Sequence, residues 1–282
     1  MHIAKQIQDK CVEMVSNGFK WFQVVSNGFK LLSDSFKGCQ MVSNGFKRFQ
    51  MVARGFKWFQ MVSNGCKWFQ MVLSASNWFQ IVSNRFKWFQ VVSNGVKWFQ
   101  MVSNGCKWFQ MVWNDFKLFQ VVSNCLKWVR TVLNGFKWFQ VGSTDFKWFD
   151  MVSNRFKRFQ MVSNGFKWFR MVSNAFKWFQ TVPNGFKWFE VGSTSFKWFH
   201  MVSSCVKCLQ MVSTDFKWLH VVSNGFRWFQ MVSNGFKLFQ MVLNGFEWFR
   251  LVSNGFKWVQ LVSKGFQMVS NGFNGFKWFW MV

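Results

Sequence analysis

Cys205 and Cys208 have the Cys-x-x-Cys spacing that occurs in dithiol redox centres and in one half of many zinc sites. A complete zinc site would need a second such pair or two nearby histidines, and the sequence has neither. The other cysteines stand singly, and the total of seven is odd, so no disulfide framework is predicted. We therefore interpret the spacing of Cys205 and Cys208 as coincidental.

Other catalytic patterns are also missing from the sequence. The three histidines, His2, His200 and His220, are too dispersed for a catalytic triad or a facial metal triad. Acidic residues fall at unrelated places, so no carboxylate pair can be proposed, and no glycine-rich phosphate loop is present. The sequence predicts that the protein is not an enzyme and has no cofactor, no metal and no small-molecule substrate.

The one recurring constellation with a chemical rationale is Phe-Lys-Trp-Phe. Lysine can bind phosphate while aromatic rings stack on bases, as in single-stranded nucleic-acid binding, and Lys with Trp also suits an anionic membrane surface. The simplest interpretation is that the aromatic rings bury one another or drive self-association. The candidate nucleic-acid contacts are Lys57, Trp58, Lys137, Trp138, Lys167, Trp168, Lys257 and Trp258.

Composition agrees with a charged, aromatic chain and excludes several classes. The net charge is +26, 22% of residues are aromatic and 50% are hydrophobic, which is unlike a disordered polar chain. The charge would attract any polyanion, although one lysine per repeat accounts for it without selection for a partner. The N-terminus does not resemble a secretory signal, and no stretch is apolar enough to span a membrane, so we expect an intracellular location by default.

These residues are positioned by a tandem repeat. Residues 1–13 are non-repetitive, and residues 14–282 repeat a decapeptide with the consensus MVSNGFKWFQ. Near Leu32 and Ser33 three residues, corresponding to Gln-Met-Val, are missing from the repeat, and a second irregularity follows Phe266. Longer blocks were copied too, because residues 131–149 closely match residues 181–199.

The decapeptide can be encoded by ATGGTTTCAA read three times in succession, once in each frame. Nearly every departure from the consensus is one base away, including Asp115 for Gly, Cys66 for Phe and Pro183 for Ser. A packed protein under selection would be expected to remove many such changes. The leading prediction is therefore a translated ten-nucleotide DNA repeat with no selected biochemical function. The alternative is nonspecific binding of nucleic acid, or of an anionic membrane surface, through the Phe-Lys-Trp-Phe segments.

The decapeptide favours β structure. Asn-Gly predicts a type I′ turn with φ > 0, and it leaves FKWFQMVS as an eight-residue strand. The expected fold is an all-β repeat, either an antiparallel meander or a β-solenoid with turns at Asn-Gly, or else no stable unique fold. Short irregular helices are the weaker alternative, because an apolar stripe would rotate by about 80° in each repeat. Strict alternation would leave neither sheet face properly polar.

Overall fold

The computed structural model describes the backbone of residues 2–6, 11–16, 19–25, 28–244, 246–253 and 256–263. It describes the side chains of residues 38–54, 57–244, 247–248, 250–253 and 260. Almost all of these residues are extended, and no helix occurs among them. The strands are β1 (His2–Gln6), β2 (Cys11–Ser16), β3 (Phe19–Val25), β4 (Gly28–Ser43), β5 (Phe46–Ser63), β6 (Cys66–Ser203), β7 (Cys205–Ser223), β8 (Phe226–Leu243), β9 (Phe246–Ser253) and β10 (Phe256–Ser263).

The strands stack as the coils of a parallel β-solenoid. In the pairs β4–β5 and β5–β6, each residue lies beside the one 20 positions later, as Phe49 lies beside Phe69. The pairs β6–β7, β7–β8 and β8–β9 keep the same offset. Two decapeptides therefore make one coil. The all-β prediction is confirmed in its solenoid form, and the antiparallel meander was wrong, because these described pairs are parallel.

The chain divides into two compact units, Met1–Ser143 and Thr144–Val282. Each unit repeats the same coil. Extended backbone continues through the corners of the coil, which is why β6 extends over 138 residues without a break.

In the decapeptides whose side chains are described, residues at four positions point into the solenoid. In one repeat of the second unit these are Met161, Ser163, Phe166 and Phe169, none more than 4% exposed. Outward residues come in consecutive pairs at Asn-Gly and at Lys-Trp, and each pair marks a corner. The strict alternation that we predicted is therefore wrong at Lys-Trp, where the corner turns both phenylalanines inward. The outer surface carries Lys, Asn and Gln beside Val and Trp.

The Asn-Gly corner is where the sequence placed it, but its geometry differs. Gly65, Gly105 and Gly165 do not have the positive φ that a type I′ turn needs. A Cβ added at any of the three would meet nothing closer than 3.8 Å. The corner therefore does not require glycine, which explains how exposed Asp145 and Arg155 occupy the same position.

Identical residues stack on one another because the repeat length divides the coil length. Phe169 stacks on Phe149 and Phe189, with ring centroids 5.0 and 4.6 Å away. Phe166 meets Phe169 edge to face at 5.6 Å. Outside the core, glutamine side chains form ladders in which each Nε2 donates to the Oε1 one coil later, as from Gln60 to Gln80 at 3.1 Å. Because every coil presents the same side chains, each coil packs against the next through contacts between identical residues.

The three-residue gap in the repeat is absorbed by one short coil. Phe19 of β3 pairs with Phe36 of β4, an offset of 17 residues instead of 20, and Gln23 pairs with Gln40 in the same register. The shorter coil keeps like residues together. By contrast, β4 and β5 return to the offset of 20.

Candidate polyanion interface

The predicted contact residues lie at the Lys-Trp corner and face outward. Lys57 and Trp58 lie on β5, whereas the pairs at 137–138 and 167–168 lie on β6. All six side chains are exposed. Lys257 and Trp258 lie on β10, but their side chains are outside the described residues. The six predicted residues whose side chains are described are thus accessible.

The tryptophans instead form rows that run from coil to coil. In the first unit Trp68, Trp88, Trp108 and Trp128 stack with successive centroid distances of 5.1, 4.9 and 5.1 Å and interplanar angles of 7° or less. In the second unit, Trp168 stacks in the same way between its neighbours one coil away. Rings at this spacing already occupy one another's faces. A nucleobase can therefore reach their outer edges or the ends of a row, but it cannot insert between stacked neighbours.

A row of lysines borders the tryptophan row of the first unit. It consists of Lys47, Lys67, Lys87, Lys107 and Lys127, which line a groove of about 880 Å³. Phe46, Cys66, Phe86 and Cys106 also line this groove, and these four side chains are buried. Phosphates bound along the rim would therefore lie over an apolar floor.

Arg85 adds a further cation to the groove, at a position that holds glycine in the consensus. The sequence analysis missed this lysine row: none of its four candidate lysines belongs to it, although Lys87 lies in the same Phe-Lys-Trp-Phe segment. The signal that could have found the row is the coil length of two decapeptides. That length aligns lysines 20 residues apart whatever their neighbours are.

The positive charges of neighbouring lysines in the row repel one another. Adjacent coils are about 4.8 Å apart, and two unit charges at that distance in water repel by about 0.9 kcal/mol. No Asp or Glu is among the described residues that line the groove. The ion pairs Arg170–Asp150 at 3.7 Å and Arg227–Glu247 at 3.6 Å are in the second unit and well exposed, so each contributes little. The row therefore concentrates positive charge along the groove.

The two cysteines of the Cys-x-x-Cys sequence differ in exposure. Cys205 is exposed at the Gly position of its repeat, and Cys208 is half-buried at the Trp position. Desolvation by burial raises the pKa of the Cys66 thiol to about 12, although a hydrogen bond with the Trp68 backbone opposes the shift. Among the residues described, no group of three or more His, Cys, Asp or Glu side chains could hold a metal ion.

The two described histidines stack on each other. The rings of His200 and His220 are 4.9 Å apart with an interplanar angle of 1°. Burial lowers the pKa of both imidazoles, and for His200 the charge of His220 lowers it further. The two histidines occupy the glutamine positions of their repeats.

Within the described ranges there is no helix with the length and hydrophobicity of a membrane span. Comparison of the chain with protein-family models, with curated proteins and with solved structures found no match.

Proposed function

We propose that the chain binds polyanions, single-stranded nucleic acid foremost, by charge and without sequence preference. The observation that supports this proposal is the lysine row along the groove of the first unit. Phosphates laid along that row would offset the repulsion between lysines on neighbouring coils. The binding would be a consequence of the repeated unit and not a selected activity.

Lack of sequence preference follows from the tryptophan rows. Base-specific recognition needs hydrogen bonds to base edges or defined stacking pockets, whereas sequence-tolerant binding needs only charge and aromatic surface. Within a row such as Trp88 between Trp68 and Trp108, both ring faces are occupied by neighbouring indoles. The rings therefore contribute edge contacts that every base can make.

Salt dependence tests the proposal. If five lysines neutralise phosphates, the slope of log K against log salt should be about −3.5 for a single strand, which means about 100-fold weaker binding at 200 mM than at 50 mM salt. The measurement is fluorescence anisotropy of a labelled oligothymidylate titrated with the full chain. No binding at 50 mM salt, or a slope near zero, would refute the proposal.

A triple variant assigns the binding to the row. Replacing Lys67, Lys87 and Lys107 by Gln should make the salt slope less negative by about 2, because about 0.7 counterion is released per contact.

The matched control replaces Lys97, Lys117 and Lys137 by Gln. It removes the same charge from the first unit, but these lysines do not line the groove. These three lysines are themselves 20 residues apart, so equal losses in both variants would mean that any row of lysines attracts the ligand and that the groove adds nothing. Tighter binding to vesicles containing phosphatidylserine than to the oligonucleotide would favour the membrane alternative.

The origin from a DNA repeat has its own test. If the chain is a translated ten-nucleotide repeat, its coding DNA will show ATGGTTTCAA in tandem through most of residues 14–282. Unrelated synonymous codons in successive decapeptides would contradict this origin. Such codons would imply that the Lys-Trp array was retained by selection.

A further inference from the structure

The tryptophan row of the second unit is interrupted at Cys208. On one side Trp168 and Trp188 stack at 5.0 Å, and on the other Trp228 and Trp248 stack at 5.6 Å. Cys208 lies between the two pairs, because it is in register with Trp188 in one neighbouring coil and with Trp228 in the other. The interruption therefore leaves one indole missing from an otherwise regular stack.

The gap has the dimensions of one aromatic ring. Paired strands are about 4.8 Å apart, so the backbones of Trp188 and Trp228 are about 9.6 Å apart, and indoles that keep the register of the row have about twice the usual ring spacing between them. A flat ring placed midway would have about the same distance to each indole as stacked indoles have to each other. Trp228 is 54% exposed, whereas Trp168, stacked on both sides, is 40% exposed. This difference is consistent with a ring face that a ligand could cover.

Other interruptions do not leave the same space. Leu118 occupies the tryptophan position in the first unit, and its branched side chain is half-buried there. In the second unit Arg158 takes the position and lies over Trp178 at 5.8 Å. Cys208 has the shortest side chain at this position among the described residues of the second unit. The slot is therefore particular to Cys208.

Charged and polar groups flank the slot on both sides. Lys207 is exposed beside Cys208, with Lys187 one coil before it. Arg227, one coil after, is paired with Glu247.

Across the slot, Gln210 and Glu190 are both exposed and in register with each other. Their oxygen atoms can accept hydrogen bonds from a ring amino group, and the Glu190 carboxylate would direct an anionic group towards the lysine side.

We propose that the gap at Cys208 is a binding slot for a purine nucleotide. A purine is a flat bicyclic ring system of nearly the same size as the missing indole, so it can complete the stack between Trp188 and Trp228. The phosphate would lie against Lys207 and Lys187. This site requires ring recognition as well as charge, and it is distinct from the groove of the first unit.

Titration of the full chain with adenosine monophosphate tests the slot, with binding measured by calorimetry and by tryptophan fluorescence. Wild-type protein should bind one nucleotide, and Cys208→Trp should weaken binding at least tenfold, because the new indole fills the gap. Cys205→Ser, a cysteine substitution at a different corner of the coil, should leave binding unchanged. Circular dichroism should show that Cys208→Trp remains folded, since the substitution restores the consensus residue.

A second pair of measurements separates the contribution of ring stacking from the contribution of the phosphate charge. Lys207→Gln should weaken binding of adenosine monophosphate but not of adenosine, since only the nucleotide carries phosphate. Inorganic phosphate bound as tightly as the nucleotide, or undiminished binding by Cys208→Trp, would overturn the proposal, as would no binding by the wild-type chain at millimolar nucleotide. Oligothymidylate binding by the lysine row should be the same in Cys208→Trp and wild type, so the two proposals can fail independently.

Discussion

The Lys-Trp corner makes a prediction that strict alternation does not. Phe166 and Phe169 both point into the solenoid and are 3% and 1% exposed, whereas Trp168 between them faces outward and is 40% exposed. With strict alternation, Phe166 and Trp168 would share one face and Phe169 would lie on the other. The solenoid therefore predicts that Phe166→Ala and Phe169→Ala are similarly destabilising, and that a charged residue is tolerated at Trp168.

The magnitudes follow from the contacts. Truncating a buried phenylalanine to alanine costs about 3–5 kcal/mol in lost transfer free energy and cavity formation. Trp168→Arg removes two ring stacks, each worth about 0.5–1.5 kcal/mol, but the new guanidinium can lie over a neighbouring indole and regain about 0.5–1 kcal/mol. Arg158 already does so over Trp178. We expect a net cost of about 1–2 kcal/mol for Trp168→Arg.

Hydrogen exchange followed by mass spectrometry is the suitable assay, because coils that contact only their neighbours can open locally. At about 1.4 kcal/mol per factor of ten, each alanine variant should accelerate exchange in adjacent coils by about two to nearly four powers of ten. Trp168→Arg should accelerate it by about one power of ten. The assignment of the corner would be refuted if either alanine variant left the exchange rate almost unchanged. It would also be refuted if Trp168→Arg accelerated exchange as much as each alanine variant does.

Two further predictions concern titratable groups. Because burial lowers the pKa of His200 and His220 in the folded chain, the unfolded chain binds protons first as pH falls below 6.5, so stability should decrease there. The melting temperature of His220→Gln, measured across pH 5–8, should depend less on pH than that of wild type, and parallel curves would contradict the reasoning. Ellman's reagent at pH 8 should label Cys205 in the native chain and reach Cys66 only after unfolding in urea, since burial raises the pKa of Cys66. Equal native labelling, located by peptide mass spectrometry, would argue against a buried Cys66.

Sequence alone predicted the class of fold but not which residues face inward. The strand FKWFQMVS and the corner at Asn-Gly follow from local preference, which the sequence displays directly. The second corner does not, because nothing in Lys-Trp marks a turn. When Lys167 and Trp168 both turn outward, Phe166 and Phe169 are both buried, whereas strict alternation would bury only one of the two phenylalanines. Burying both is more favourable, but this gain exists only once the coils stack.

The arrangement of lysine and tryptophan could not be predicted from the sequence. Both side chains are exposed at the same corner, and their alignment depends on the coil holding two decapeptides, which a period of ten cannot reveal. That coil length places Lys67 and Lys87 side by side and makes Trp68 cover Trp88. The sequence therefore suggested rings that could accept bases, whereas stacking has already used their faces.

The structure also weakens one argument for the absence of selection. Asp145 and Arg155 replace glycine at an exposed corner that needs no positive φ, so a folded chain could tolerate them.

The genetic code by itself explains where charged substitutions occur in the repeat. Phe codons, and the TCA codon inferred for Ser, cannot reach a charged residue by one base change, whereas the inferred Gly, Trp, Gln and Lys codons can. Codon structure thus keeps charge out of most of the interior without selection.

Methionine is the exception among the inward positions, because ATG can reach Lys or Arg by one base. Every described replacement at that position is apolar or threonine, as at Ile81, Val91 and Thr131. Block duplication, visible between residues 131–149 and 181–199, makes several of these replacements copies of one event. Selection for folding would therefore be recognised by a shortage of Lys and Arg at the methionine position across independent copies of the repeat. At the phenylalanine and serine positions, the code alone would give the same result.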